Sequence, residues 1–127
     1  MSIKYSTIAR KNLQKPTDPV KYYAIASASG KTDIDKLSRP IANTSTVSRT
    51  DVYAVIMGLF ETVAEELADG KTVILGKLGS FSVNVKSDAA ETTDAVNAAT
   101  IKGAKIVYRP GGELKNMLMT LKYEKKA

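Results

Sequence analysis

The longest regular pattern in the sequence is an apolar stripe at helical spacing between residues 52 and 67. Its members recur at intervals of three and four over about four turns, which predicts an amphipathic helix. The capping box Ser48-Arg49-Thr50-Asp51 precedes the stripe and Asp69-Gly70 follows it, so both ends of the helix are specified. Each large residue contributes about 1.5–3 kcal/mol if fully buried, which makes this helix central to the core. The stripe consists of Val52, Val55, Ile56, Leu59, Phe60, Val63, Ala64 and Leu67.

Two more apolar residues in this segment, Tyr53 and Met57, lie off the stripe. A helix that is apolar on a second side needs a second partner to cover that side. We therefore expect another subunit to pack against this helix.

A shorter helix is predicted just ahead of the long one. Thr32 begins a capping box, and Ile34, Leu37 and Ile41 follow at helical spacing. Pro40 lacks a backbone N–H, and its ring clashes with the preceding turn of a helix. The sequence therefore predicts a helix that is short, or bent before Pro40.

Two short strands are predicted at the start of the chain, at residues 3–10 and 20–28. The loop between them contains Pro16 and Pro19, which favour a break in regular structure. Tyrosines here are typical of the packed face of a sheet. They also fit a stacking platform for RNA bases, and both interpretations remain open on the sequence alone. The residues concerned are Tyr5, Tyr22 and Tyr23, with neighbouring Lys4 and Lys21.

After the long helix the apolar pattern changes to a period of two, which is typical of strands. We predict strands at residues 72–75, 80–86 and 101–109, the first two joined by a turn. Residues 87–100 carry three acids and no base and follow neither period, so a projecting loop or mobile arm is predicted there. A short amphipathic helix around Leu114 to Leu121 and a charged tail at residues 122–126 come last.

Two blocks of sequence resemble the HU/IHF family of bacterial histone-like DNA-binding proteins. In DGKTVILGKLGSFSVNVK, a helix ends at glycine and an apolar strand leads to a glycine-containing turn, a small residue and phenylalanine. In AKIVYRPGGELK, a basic strand leads to Tyr-Arg-Pro-Gly and a helix that bears a lysine. The order and spacing match the family, and the N-terminal 30 residues resemble the extended branch of HU-like proteins.

The resemblance implies an α+β fold of the HU/IHF type. Two helices are followed by a three-stranded antiparallel sheet with a projecting β-arm at residues 87–100 and by a short C-terminal helix. Residues 1–30 are expected to form a β extension packed on the core, and residues 31–127 the HU/IHF-like DNA-binding domain. The family also implies an intertwined homodimer.

The function implied by the resemblance is that of a nucleoid protein. Such a protein binds duplex DNA without sequence preference through a basic β-saddle, and compacts or bends it. Family arms insert a wedge residue between base pairs, but this arm has no proline and its acids would be repelled by phosphates, so no wedge is expected here. The expected contacts with DNA are Lys77, Gly79, Ser80, Lys86, Lys102, Lys105, Arg109 and Lys115.

The distribution of charge agrees with a polyanionic partner. Residues 1–36 carry a net charge of +4, residues 37–100 of −3 and residues 101–127 of +5, for a total of +6. The sequence has neither cysteine nor histidine, so thiolate zinc sites, disulfides and the commonest general base are excluded. We expect no enzyme activity, no metal and no small-molecule cofactor.

No apolar run is long enough to span a membrane and no signal segment is recognisable, so we expect a cytoplasmic protein. The resemblance implies that it is associated with the nucleoid and that its partners are double-stranded DNA and a second copy of itself. Two alternatives remain. The HU fold can serve as a structural or protein-interaction module with weak or no DNA binding, since fold does not fix function. The tyrosine-bearing extension can bind RNA.

Overall fold

The computed structural model describes residues 1–126, whose contacts divide into two units. The terminal unit comprises residues 1–33 together with those from Met117 onward, and the central unit comprises Ile34–Asn116. The predicted α+β class is confirmed, with three α-helices and two three-stranded sheets among the described residues. In the part of the chain that the structure describes, no helix combines the length and the hydrophobicity that a membrane span requires.

The long helix of the central unit has the predicted boundaries. Helix α2 runs over Arg49–Ala68, after a first helix, α1, over Ile34–Asn43. Ser48 caps α2, because its hydroxyl oxygen accepts the Asp51 N–H at 3.2 Å. At the other end Gly70 has a φ of 82°, the left-handed geometry that ends helices.

Helix α1 is longer than the sequence predicts, because it continues through Pro40 to Asn43. The turn before the proline holds an additional hydrogen bond: the buried hydroxyl of Ser38 donates to the Ile34 carbonyl at 2.7 Å. Pro40 itself is exposed, so its ring displaces no core residue. The helix therefore does not end before Pro40, and the alternative of a bend at this point stays a prediction.

The sheet of the central unit is antiparallel in the order β3-β4-β5. Its strands are β3 at Val73–Ile74, β4 at Gly79–Ser87 and β5 at Ile101–Pro110, in agreement with the predicted strands. Phe81, Val83 and Val85 of β4 oppose Tyr108, Ile106 and Ala104 of β5, so one face of this hairpin is apolar.

The segment predicted as an arm connects β4 and β5. It starts where the Asp88 N–H donates to the Thr100 carbonyl at 2.9 Å. Two short 3-10 turns, Thr93–Ala95 and Ala98–Thr100, occupy its second half. Helix α3, Gly112–Met119, follows β5 where the short amphipathic helix was predicted.

The terminal unit contains a second sheet in the order β2-β1-β6. The predicted hairpin is formed by β1 at Ile3–Arg10 and β2 at Lys21–Ser27, and Tyr123–Lys125 adds β6 parallel to β1. The predicted charged tail therefore contains a strand. A hydrogen bond from the Ile3 N–H to the Lys122 carbonyl, 2.7 Å long, joins it to the start of the chain. The structure groups the residues after Asn116 with the N-terminal strands, whereas the sequence placed them in a domain 31–127.

Candidate nucleic-acid interface

Two glycines shape the turn at the root of the β4–β5 hairpin. Gly79 is buried with a φ of 122°, and a Cβ there would lie 2.2 Å from the Arg109 carbonyl oxygen. A Cβ on Gly111 would lie 2.3 Å from the Lys77 carbonyl oxygen. The backbones before β4 and after β5 therefore approach each other at distances that only glycine permits.

Aromatic contacts fix the same region. The Tyr108 hydroxyl donates to the Leu78 carbonyl at 2.6 Å, and the rings of Tyr108 and Phe81 lie 5.0 Å apart at an angle of 38°. This pair anchors β5 against β4 on the apolar face, so the opposite face of the hairpin is held in a defined orientation.

That opposite face gathers four of the predicted DNA contacts, three of which are basic. Side chains alternate along a strand, so Gly103, Lys105 and Arg109 lie on one side of β5. Lys86 of β4 lies on the same side, because it is paired with Gly103. A shallow cleft of about 320 Å³ lies between Lys86 and Lys105, and a Cβ on Gly103 would meet no atom within 4 Å. We call Lys86, Lys105 and Arg109 the basic face. Ser80, opposite Arg109, lies on the same side.

The remaining predicted contacts lie elsewhere or are already engaged. A β-bulge between Lys86 and Ser87 leaves Lys102 opposite no residue, and its ammonium pairs with the Asp88 carboxylate at 3.2 Å. Lys77 pairs with Glu113 at 3.0 Å, and Lys115 is exposed on α3. The Gly79 N–H donates to the Gly76 carbonyl and is thus satisfied within the turn.

The two units differ sharply in charge. The terminal unit carries nine basic and three acidic residues, a net charge of +6, and the central unit carries ten of each, a net charge of zero. This division was not predicted from the sequence. The sequence shows that the two terminal segments are basic, but only the pairing of β6 with β1 shows that they form one unit. The net positive charge of the protein therefore lies in the terminal unit.

The tyrosines of the terminal unit separate into two groups. Tyr5 and Tyr22 lie on one face of the sheet. Tyr22 is paired with Ala9, and Ala9 lies on the same side of β1 as Tyr5 because an even number of positions separates them. Tyr123, missed within the predicted tail, lies on that face too, because it pairs with Ile3. Tyr23 lies on the other face, under the Arg10 guanidinium at 5.7 Å from the ring centroid. The three predicted tyrosines thus do not form a single platform.

One ion pair holds the last strand. The Lys4 ammonium lies 2.6 Å from the Glu124 carboxylate, and the Ser2 hydroxyl donates to the same oxygen at 3.0 Å. The hydrogen bond from Lys4, and secondarily that from Ser2, lowers the pKa of Glu124 below its ordinary value. The link between β6 and β1 is therefore strongest when Glu124 is ionised.

The apolar stripe of α2 is largely uncovered. Within residues 1–126 the buried apolar side chains are Val52 and Leu67, while Val55 and Phe60 remain 68% and 66% exposed. An apolar groove of about 420 Å³ runs along this stripe. Besides α2 residues, its lining includes Ile34, Leu75, Phe81 and Ile106.

Comparisons with known proteins agree with this architecture. The sequence profile of HU-HIG, described as an HU domain fused to a wHTH, Ig, or glycine-rich motif, matches residues 1–125. No protein with a curated description matches the sequence.

Two solved structures are similar to this chain. The first is a protein from Bacteroides vulgatus ATCC 8482, named provisionally as a bacterial DNA-binding protein, with a TM-score of 0.67, 16% identity and coverage of 98% of this chain and 48% of its own. This chain therefore spans about half the length of that protein, and the similarity shows a shared fold. The second, an HU–DNA cocrystal structure from Anabaena, has a TM-score of 0.49, 19% identity and coverage of 70% of this chain and 98% of its own.

Proposed function

Since this chain belongs to the HU-HIG family of HU domains fused to a wHTH, Ig, or glycine-rich motif, we propose that it is a non-enzymatic, histone-like nucleoid protein that binds duplex DNA without sequence preference and bends or compacts it. The observation that carries this proposal is the basic face, where Lys86, Lys105 and Arg109 lie on one side of a single hairpin. The protein acts in the cytoplasm on the nucleoid and needs no cofactor.

The chemistry of the basic face suits phosphates. Lysine and arginine side chains neutralise the DNA backbone and release counterions, which requires no reading of base edges. The open backbone at Gly103 lets a phosphate approach between Lys86 and Lys105. The segment beyond Ser87 carries Asp88, Glu91 and Asp94 and lacks proline. DNA is therefore held by the hairpin rather than by a wedge at its tip.

A second copy of the chain completes the binding surface. The exposed stripe of α2 leaves on the order of 10 kcal/mol of burial energy unused in a single copy, which is comparable to the net stability of a whole domain. A homodimer covers this groove and presents two basic faces to one duplex. Dimerisation accordingly belongs to the proposal.

Fluorescence anisotropy with a plain labelled duplex at two salt concentrations tests the binding. The affinity of the full chain falls steeply with salt, and Lys105→Gln reduces the slope of log affinity against log salt by about 0.9, the value of one phosphate contact. The matched control is Lys71→Gln, since hydrogen bonds to Glu66 and Asp69 already raise the pKa of Lys71 and engage its ammonium. This control leaves the slope unchanged.

A second function, that of a structural or protein-interaction module, is favoured by one observation. Two of the expected DNA contacts, Lys77 and Lys102, are paired with acids, and the central unit has no net charge. If the anisotropy of the duplex stays flat even at low ionic strength, binding of duplex DNA is excluded and this second function replaces the first.

A further inference from the structure

The terminal sheet carries an aromatic face that the proposed function does not use. Tyr5, Tyr22 and Tyr123 come from its three adjacent strands and share this face. Tyr22 and Tyr123 are 72% and 65% exposed, so both rings are accessible to a ligand. A shallow groove of about 430 Å³ is lined by Tyr5 and Tyr123 together with Ile3 and the small side chains of Ala24 and Ala26.

The same sheet lies in the unit that holds the whole net charge of the protein, +6. Lys125 shares the face of the tyrosines, since it pairs with Tyr5 in the β1–β6 ladder. Within residues 1–126 it forms no ion pair, whereas Lys4 on the opposite face is neutralised by Glu124. Flat aromatic surfaces thus lie next to an unpaired cation in a strongly positive unit.

We propose that the terminal unit binds single-stranded DNA, with unpaired bases stacked on the face that carries Tyr5, Tyr22 and Tyr123 and with phosphates near Lys125. Exposed aromatic side chains on a sheet stack bases of any sequence, and neighbouring cations hold the backbone. A duplex offers this face only phosphates, because its bases are stacked on each other. The choice of DNA over RNA rests on the proposed function.

The charge also argues against a protein as the occupant. An apolar protein surface would carry no negative charge to match the positive charge of this unit. An acidic protein surface would match the lysines but would make no use of the exposed tyrosine rings. A single strand of nucleic acid uses both, because each nucleotide joins a planar base to a negative phosphate.

Anisotropy of the full chain with fluorescein-labelled oligothymidine tests the proposal. The double substitution Tyr22→Ala, Tyr123→Ala lowers the affinity at least about tenfold, because each lost base stack is costly. Lys125→Gln reduces the salt slope by about 0.7, the single-strand value for one phosphate. Retention of full affinity in the double variant overturns the proposal.

Two control variants separate stacking from folding. Tyr23→Ala removes the same side chain from the neighbouring position on the opposite face and leaves the affinity for oligothymidine unchanged. Tyr22→Phe, Tyr123→Phe keeps the rings and restores most of the affinity that the alanines lose. An equal loss in all three variants means that the sheet has unfolded or that the face is not specific, and the proposal fails.

Two further probes distinguish the possible partners. Tighter binding of oligouridine than of oligothymidine overturns the assignment to DNA in favour of RNA. A labelled duplex separates this site from the basic face: the tyrosine variants leave its affinity unchanged, whereas Lys105→Gln lowers it. If the unsubstituted chain binds oligothymidine but not the duplex, the proposed function is contradicted. If it binds the duplex but not oligothymidine, the present inference is contradicted.

Discussion

At the scale of single residues, Gly79 and Gly111 are the positions where the backbone leaves least freedom. A Cβ atom at either position would lie within 2.3 Å of a carbonyl oxygen on the opposing segment. Neither obstacle is a flexible side chain, so the clash cannot be relieved by a change of rotamer. These two residues determine how β5 returns beside β4, and hence where Arg109 points.

Gly79→Ala is therefore expected to lower the free energy of unfolding by about 3 kcal/mol, through the clash and the positive φ together. Gly112→Ala is the matched control, because a Cβ there meets no atom within 4 Å. Urea denaturation followed by circular dichroism measures both. Equal midpoints for Gly79→Ala and the unsubstituted protein would contradict the account of this turn.

Residue patterns predicted the basic face only in part. Lys105 and Arg109, both expected contacts, lie on one side of β5, because side chains alternate along the strand. Lys102 was grouped with them, but the bulge beside Lys86 interrupts the pairing there and an ion pair with Asp88 engages its charge. No sequence period reveals a bulge, because it depends on how two strands are aligned.

At the scale of elements, the sequence predicted what is local. The capped helix α2 and the hairpins carry their signals within a few neighbouring residues, so their boundaries agree closely with the structure. Strand β6 has three residues, too few for a period to appear, and its partner β1 comes from the other end of the chain. The pairing, and with it the grouping of positive charge in one unit, could not be inferred from the sequence.

The attachment of β6 is expected to depend on pH. Because the pKa of Glu124 is lowered in the fold, its pair with Lys4 contributes stability above the ordinary value of 4.5 and loses it as the pH falls further. Hydrogen-exchange protection of the Ile3 and Lys126 amides, which bond across this pair of strands, should therefore decrease in acid.

Glu124→Gln should give low protection of these two amides that does not vary with pH. Glu91→Gln, which removes an exposed acid from the arm, serves as the control and should keep the profile of the unsubstituted protein. A profile for Glu124→Gln that still falls in acid would exclude the Lys4–Glu124 pair as its cause.

At the scale of the whole molecule, the uncovered stripe of α2 is the dominant feature. Only Val52 and Leu67 are buried among the apolar residues from 1 to 126, although the stripe has eight members. The sequence indicated a second subunit from Tyr53 and Met57, and the exposure of the stripe itself now strengthens that proposal. The proposed homodimer would supply the apolar burial that so small a core lacks.

Phe60→Gln is expected to weaken the dimer about 100-fold, since it replaces a large ring lining the apolar groove. Sedimentation velocity over a range of protein concentrations measures the change. The control is Leu13→Gln, which alters an even more exposed apolar side chain in the loop between β1 and β2. A sedimentation coefficient for Phe60→Gln that is unchanged at every concentration argues against a dimer through α2.

The parallel pairing of β1 with β6 also has a consequence for biosynthesis. Strand β1 is translated long before β6, so its second edge stays uncovered until Tyr123–Lys125 have emerged from the ribosome. Meanwhile residues 34–116 can already collapse, because every strand of their sheet has been made. The nascent chain thus exposes an open strand edge until β6 is available, and during that interval a chaperone or another nascent chain can pair with it.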